Sequence, residues 1–284
     1  MINSIPAGTT AKIIVGGGTV TEDALSNMRS AFTEMWGSDM NTKVSIDLSK
    51  VVFGDNKVPD SAFKYCYSVT GVSLPSSITE IGKEAFYNAN LASISIPSNV
   101  TSICDGAFQG CPLGDVTIPN DSKLVSIGDN AFSSTNIMSI NIPSSVTSIG
   151  KAAFKQATML LSVTLPENLT SLGAGAFMGC SGLTSFTVPS KITSIPATLL
   201  SGCTRITTIT IKGKITSIGA GAFRSCKSVT NINYKDNSQC TETQWKSIEF
   251  GSEWRGTGAS QLPITATVTF YGGTSKTLEE LDTY

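Results

Sequence analysis

Cys180-Ser181-Gly182-Leu183-Thr184-Ser185-Phe186-Thr187-Val188-Pro189-Ser190-Lys191-Ile192-Thr193-Ser194-Ile195-Pro196-Ala197-Thr198-Leu199-Leu200-Ser201-Gly202-Cys203 is one full unit of a pattern written eight times along this chain. Phe186 and Val188 alternate with outward Ser185 and Thr187, the period-two signature of a half-buried strand. Pro189 removes a backbone donor and ends that strand. Ile192, Ile195 and Leu200 then supply further apolar positions.

The register is carried by an aromatic column: Phe63, Phe86, Phe108, Phe132, Phe154, Phe177, Leu200 and Phe223, separated by 23, 22, 24, 22, 23, 23 and 23 residues. A fixed period in this range marks a solenoid, in which each unit is too small to bury its own apolar face and must stack on its neighbours. The strand pair recurs as Val72/Leu74, Ile94/Ile96, Val116/Ile118, Ile140/Ile142, Val163/Leu165, Phe186/Val188, Ile209/Ile211 and Ile232/Tyr234. Pro75, Pro97, Pro119, Pro143, Pro166 and Pro189 follow it, and Lys212 breaks the series.

The unit Ser139-Ile140-Asn141-Ile142-Pro143-Ser144-Ser145-Val146-Thr147-Ser148-Ile149-Gly150, closing on Ala153-Phe154, resembles the leucine-rich repeats of BspA-like surface proteins of host-associated bacteria and some parasitic protists. The likeness spans residues 44–234 and extends to Gln244-Trp245, Ile248 and Trp254, similar to that family's closing segment. It implies an α/β, β-rich, right-handed leucine-rich-repeat solenoid with one to two short strands per coil. It also implies a cell-surface or secreted protein that binds host or neighbouring-cell macromolecules, such as extracellular-matrix proteins or glycans. Met1-Ile2-Asn3-Ser4-Ile5-Pro6 lacks the basic start and apolar core of an export signal, so under this resemblance the signal is expected to have been removed or to lie outside the chain.

Three regions are expected: residues 1–48 as an N-terminal β-α-β cap, 49–234 as the solenoid, and 235–284 as a C-terminal cap and tail. At the front, Thr21 is placed to cap a helix whose Leu25, Met28, Phe32 and Met35 make one apolar face, flanked by strands over 11–15 and 43–48. At the back, a short helix from Thr241 presents Trp245, with Ile248, Phe250 and Trp254, as a lid over the last coil or as a sugar-binding aromatic group. A strand over 262–271 and a polar tail follow.

Cys66, Cys111, Cys180, Cys203 and Cys226 all stand three residues after the column position, where other units have Ala89, Thr135 and Ala157. The position wants a small side chain, and free cysteine serves as a small buried apolar group. Cys180, Cys203 and Cys226 fall in neighbouring coils, which leaves a bridge between two of them open. The chain has no histidine and no close C-x-x-C pair, which disfavours zinc. At the glycine position stand Pro59, Gly82, Cys104, Gly128, Gly150, Gly173, Pro196 and Gly219. Proline holds φ near −65°, so this position calls for small size or close approach rather than positive φ. Gly16-Gly17-Gly18 lacks both the Gly-Lys-Ser/Thr ending and the spaced dinucleotide pattern, and no nucleotide or other cofactor is expected.

The absence of histidine removes the commonest general base, and no serine sits in a nucleophile elbow. The expected function is a non-enzymatic interaction module, with a passive envelope spacer as the alternative and an uncharacterised enzyme behind both. A net charge of −1 argues against nucleic acid, and no apolar run is long enough to cross a bilayer. The outward strand positions, among them Asn141, Thr164, Thr187 and Thr210, form an uncharged hydroxyl-rich face. Charge is uneven: residues 146–240 hold 9 basic and 2 acidic side chains. Lys191, Arg205, Lys212, Lys214, Arg224 and Lys227 are therefore candidates for an acidic partner.

Overall fold

The computed structural model describes residues 10–38, 42–234, 240–258 and 261–281. Each coil contributes two short parallel strands. On the front lie Val69–Ser73, Ser93–Ser95, Asp115–Thr117, Ser139–Asn141, Ser162–Thr164, Ser185–Val188, Thr208–Ile211 and Asn231–Tyr234. On the back, two-residue strands from Lys57–Val58 through Ser102–Ile103 to Ser171–Leu172 form a six-stranded ladder, and Ser194–Ile195, Ser217–Ile218 and Glu249–Phe250 form another. Register is coil on coil, as in Phe186↔Ile209 and Ile127↔Ile149. The 23-residue period therefore becomes a stack of rungs whose inward apolar side chains form one continuous core.

The aromatic column is a stack of rings. Phe63, Phe86, Phe108, Phe132, Phe154 and Phe177 are fully buried, with successive centroids 5.2–5.4 Å apart and ring planes within 11° of parallel. Rung spacing near 4.8 Å holds like rings at this separation. Leu200 interrupts the stack, and Phe186 packs edge-on to Phe177 at 5.0 Å.

The turns carrying these rings have a backbone that the periodicity does not announce. Two residues before and two after the column position, φ is positive: Ser61, Glu84, Asn130, Ala152 and Thr198 on one side, and Tyr65, Asn88, Ser134, Gln156 and Ser225 on the other, with glycine in the remaining coils. A left-handed residue with a Cβ costs about 1–2 kcal/mol, and hydrogen bonding offsets it. Phe63 N–H donates to Ala85 O, Phe86 to Ala107 O and Phe132 to Ala153 O, and the left-handed residues from Ser61 to Gly221 donate in the same way, at 2.6–3.1 Å. Every one of these bonds runs from a coil to the following coil.

At the glycine position the expectation of close approach holds. A Cβ on Gly150 would lie 2.6 Å from Gly128 C and Asp129 N, and one on Gly128 would lie 2.7 Å from Cys104 C, with no positive φ at either.

At the front end, Thr10–Ile14 pairs in parallel with Lys43–Asp47, which pairs in parallel with Val69–Ser73. Helix α1 (Glu22–Ser38) begins with Thr21 Oγ1 accepting from Ala24 N–H at 3.2 Å. It is tied to the first coil by Ser68 Oγ donating to Phe32 O at 2.9 Å and Arg29 Nη1 donating to Ser61 O at 3.0 Å. Leu25 and Phe32 are buried, while the side chain of Met35 lies outside the described residues.

At the back end, α2 (Glu242–Lys246) starts at Thr241, whose side chain accepts from Gln244 N–H. Trp245 is buried against Tyr234, Trp254 and Phe270, whereas Phe250 is partly exposed. Glu249–Phe250 pairs with Ser217–Ile218, Gly251 takes the close-packed glycine position, and Trp254 O accepts from Phe223 N–H at 2.8 Å. Residues 249–255 thus repeat the back half of a coil after an insertion. The strand expected over 262–271 is shorter, Thr267–Phe270, because Leu262 is buried in the turn before it. The segment expected as a polar tail folds back instead: Ser275–Thr277 pairs antiparallel with Thr267–Phe270, and α3 (Leu278–Leu281) buries Leu278 and Leu281.

Candidate binding surface

The outward residues of the front strands form two columns. Ser139↔Ser162 and Asn141↔Thr164 are opposed in one pair of strands, Ser185↔Thr208 and Thr187↔Thr210 in another. Thr164 and Thr187 are exposed and Thr210 is half-buried. Towards the C-terminal end these groups bond to one another: Asn233 Nδ2 to Thr210 Oγ1 at 3.4 Å, and Asn231 Nδ2 to Asn233 Oδ1 at 2.7 Å. Just before the strands, Thr207 donates to Thr184 O and Thr230 to Thr207 O. Met138 and Leu161 occupy that same position in the middle coils, each 49% exposed and joined by Leu161 N–H to Met138 O, with Met159 beside them. The hydroxyl face therefore has an apolar margin at its centre.

The basic candidates divide between two edges of this sheet. Lys191, Lys212 and Lys214 follow the strands, whereas Arg205, Arg224 and Lys227 precede them, so the four-residue strands hold the groups roughly 13 Å apart. Lys191 Nζ donates to Asn168 Oδ1 at 2.8 Å, and Lys212 pairs with Glu167, whose carboxyl is held below its usual range mainly by that bond. Lys214, Arg205, Arg224 and Lys227 are exposed and form no ion pair among the described residues.

The thiols are more than small apolar fillers. All seven cysteines are unbridged. Cys111, Cys180, Cys203 and Cys226 donate Sγ–H to the carbonyls of Phe86, Phe154, Phe177 and Leu200 at 2.8–3.2 Å, so each thiol bonds to the column residue of the preceding coil. Burial pushes the Cys66, Cys111, Cys180 and Cys226 thiols up to about 12, and Cys203 well above its ordinary value. These thiols are protonated at neutral pH and poor nucleophiles.

A further group at the front end escaped the sequence reading. Tyr65 is 39% exposed, edge-on to Tyr87 at 5.5 Å and 6.0 Å from Tyr67. Lys64 Nζ lies 5.4 Å from the Tyr65 ring centre and 4.9 Å from that of Tyr87, and pairs with Glu84 Oε2 at 2.6 Å. An open cleft of about 340 Å³ between α1 and the first coil is lined by Arg29, Ser30, Thr33, Lys64 and Tyr65. Tyr65 and Tyr87 sit two and one residues after their column phenylalanines, so reading the outward positions of the turns as well as the strands would have found them.

This geometry is that of a leucine-rich-repeat solenoid. Residues 56–126 and 125–247 match the BspA type leucine rich repeat region in six copies, and the chain belongs to that family. Among solved structures, a leucine-rich repeat protein from Bacteroides ovatus superposes with a TM-score of 0.59 at 21% identity, covering 81% of this chain. This chain spans 60% of that protein's length. A leucine rich cell surface protein from Faecalibacterium prausnitzii matches at 27% identity over 73% of this chain and 67% of its own, with a TM-score of 0.47. The T. pallidum leucine rich repeat protein matches at 25% identity over 69% of this chain and 78% of its own, with a TM-score of 0.46. No curated protein matches. Among the described residues, no helix is long and apolar enough to cross a membrane.

Proposed function

We propose that this chain is a non-enzymatic, adhesin-like module, displayed at a cell surface or secreted, that binds a host or neighbouring-cell protein on its front sheet. The observation that carries this reading is the open front face, where a hydroxyl-rich array that includes the Asp115 carboxylate borders exposed Met138, Met159 and Leu161. An extended repeat surface suits a macromolecular partner, and apolar side chains beside a polar array supply both kinds of contact that interfaces use. Residues 49–234 form the binding solenoid, with residues 1–48 and 235–284 closing its ends. The basic edges, Lys191 and Lys214 on one side and Arg205, Arg224 and Lys227 on the other, steer an acidic partner.

The test is binding of the purified chain to an array of extracellular-matrix and cell-surface proteins, repeated with Thr164→Arg/Thr187→Arg and with Met138→Asp/Leu161→Asp. The expected result is a saturable partner lost, by tenfold or more, in both variants while their thermal unfolding stays within a few degrees of the parent. A partner whose affinity ignores both variants would place recognition elsewhere. Failure to bind anything on the array favours the spacer reading, which the internal bonding of Asn231, Asn233 and Thr210 supports.

A further inference from the structure

We infer that the cleft between α1 and the first coil is a binding site for a carboxylate-bearing saccharide, independent of the front sheet. Four features converge there. Arg29 is half-buried and fixed by one donor on Ser61 O, which leaves the rest of its planar fork free for a bidentate carboxylate. Among the described residues no carboxylate pairs with it. Lys64 is neutralised by Glu84, so the cleft carries the uncompensated charge of Arg29. Two acids line the adjoining recess: Asp60 is engaged by Lys57 at 3.0 Å and by Lys83 N–H at 2.9 Å, and Asp23 is exposed at the start of α1 and makes no ion pair with Arg29.

Tyr65 supplies the second feature, an exposed ring braced by Tyr87 and Tyr67 and therefore already ordered for stacking against the C–H face of a sugar. Ser30 and Thr33 add hydroxyls. Thr33 Oγ1 donates to Arg29 O at 2.9 Å, so its lone pairs are left to accept from sugar hydroxyls. The fourth feature is size. A cleft of about 340 Å³ falls at the small end of ligand pockets and holds one or two sugar rings. A protein partner would need a contact of about 800 Å² per side.

The probe is hyaluronan tetrasaccharide, a uronate-bearing oligosaccharide without sulfate, titrated calorimetrically into the full chain at low salt, with chitotetraose as the neutral counterpart and tetraglutamate as an acidic peptide. The tetrasaccharide is expected to saturate with a dissociation constant of about 0.1–1 mM, with chitotetraose and tetraglutamate at least tenfold weaker. Arg29→Gln and Tyr65→Ala are each expected to weaken it about tenfold, and Lys50→Gln, a charge control on an exposed lysine away from the cleft, to leave it unchanged. Arg29→Gln loses a tie to Ser61, so folding of each variant is checked by circular dichroism. Tyr65→Ala and saturation-transfer NMR of the sugar C–H protons decide the matter where Arg29→Gln fails to fold. The inference is overturned by the absence of saturation, by equal binding of chitotetraose, by tetraglutamate binding as tightly, or by parental affinity in the Tyr65 variant.

Discussion

Raising the pH should dismantle this protein through its thiol column. Cys66, Cys111, Cys180 and Cys226 sit in the core with their thiols pushed up to about 12 by burial, whereas an unfolded cysteine ionises near 8.5. Above pH 8.5 the folded state binds more protons than the unfolded one, so this contribution is fully present below that pH and is lost as pH climbs towards 12. Between pH 8 and pH 10 each thiol costs about 2 kcal/mol of stability, and the four together about 8 kcal/mol. Cys203 and Tyr234, both raised by burial, act with the same sign. A loss of that size is comparable to the whole stability of an ordinary domain. Urea unfolding followed by circular dichroism at pH 8 and pH 10 reads it directly. The informative partner is the variant with those four cysteines replaced by alanine, the residue already present at Ala89 and Ala157. It should start less stable at pH 8, having lost four thiol–carbonyl or packing contacts, yet lose far less on going to pH 10. Equal pH dependence in the two proteins would refute the reasoning.

Phe132→Ala should cost about 4 kcal/mol, since it empties a fully buried site between rings at 5.3 and 5.4 Å, whereas Phe132→Leu should cost no more than about 1.5 kcal/mol, as Leu200 occupies the same column; chemical denaturation distinguishes them. Ala152→Gly should stabilise by about 1 kcal/mol because φ there is 53°, the conformation filled by Gly106 and Gly175 in other coils; an unchanged or lowered unfolding midpoint would contradict the left-handed turn. Trp245→Ala should cost about 3–5 kcal/mol and, in hydrogen exchange, deprotect the strands Asn231–Tyr234 and Thr267–Phe270 before the middle coils, since Trp245 packs against Tyr234 and Phe270.

The repeat, its column and the inward positions were legible because one period fixes register along the axis and apolar alternation fixes which side faces in. Period says nothing of where on the circumference of a coil a residue falls. Lys191 and Arg205 therefore read as one basic group, although the front strands separate them. The left-handed turns were hidden for a related reason. Glycine marks them in some coils, at Gly106 and Gly179, but Glu84, Asn88 and Gln156 hold the same φ and give no sign of it in their identities. The cysteine register predicted burial correctly, while the thiol's role as a donor depends on a carbonyl 26 residues back that only the stacked structure brings near. Tyr65 and Tyr67 stand in the first coil and Tyr87 in the second, and no later coil repeats them, so nothing periodic drew attention to them.

The one-way run of N–H groups makes the edge formed by the aromatic turns polar in the electrical sense, while at the glycine position the run is reversed, Gly128 N–H donating to Ile103 O and Gly150 N–H to Ile127 O in the preceding coil. Peptide dipoles along that edge add, leaving it carbonyl-rich at its leading end and amide-rich at its trailing end. Glu249–Phe250 and the residues up to Trp254 close that trailing end by offering Ser252 O and Trp254 O to Gly221 and Phe223. A partial rung is thus sufficient as a stopper because it brings both kinds of partner: those acceptors on the aromatic edge, and on the other edge the Glu249 and Gly251 N–H groups, which donate to Thr216 O and Ile218 O.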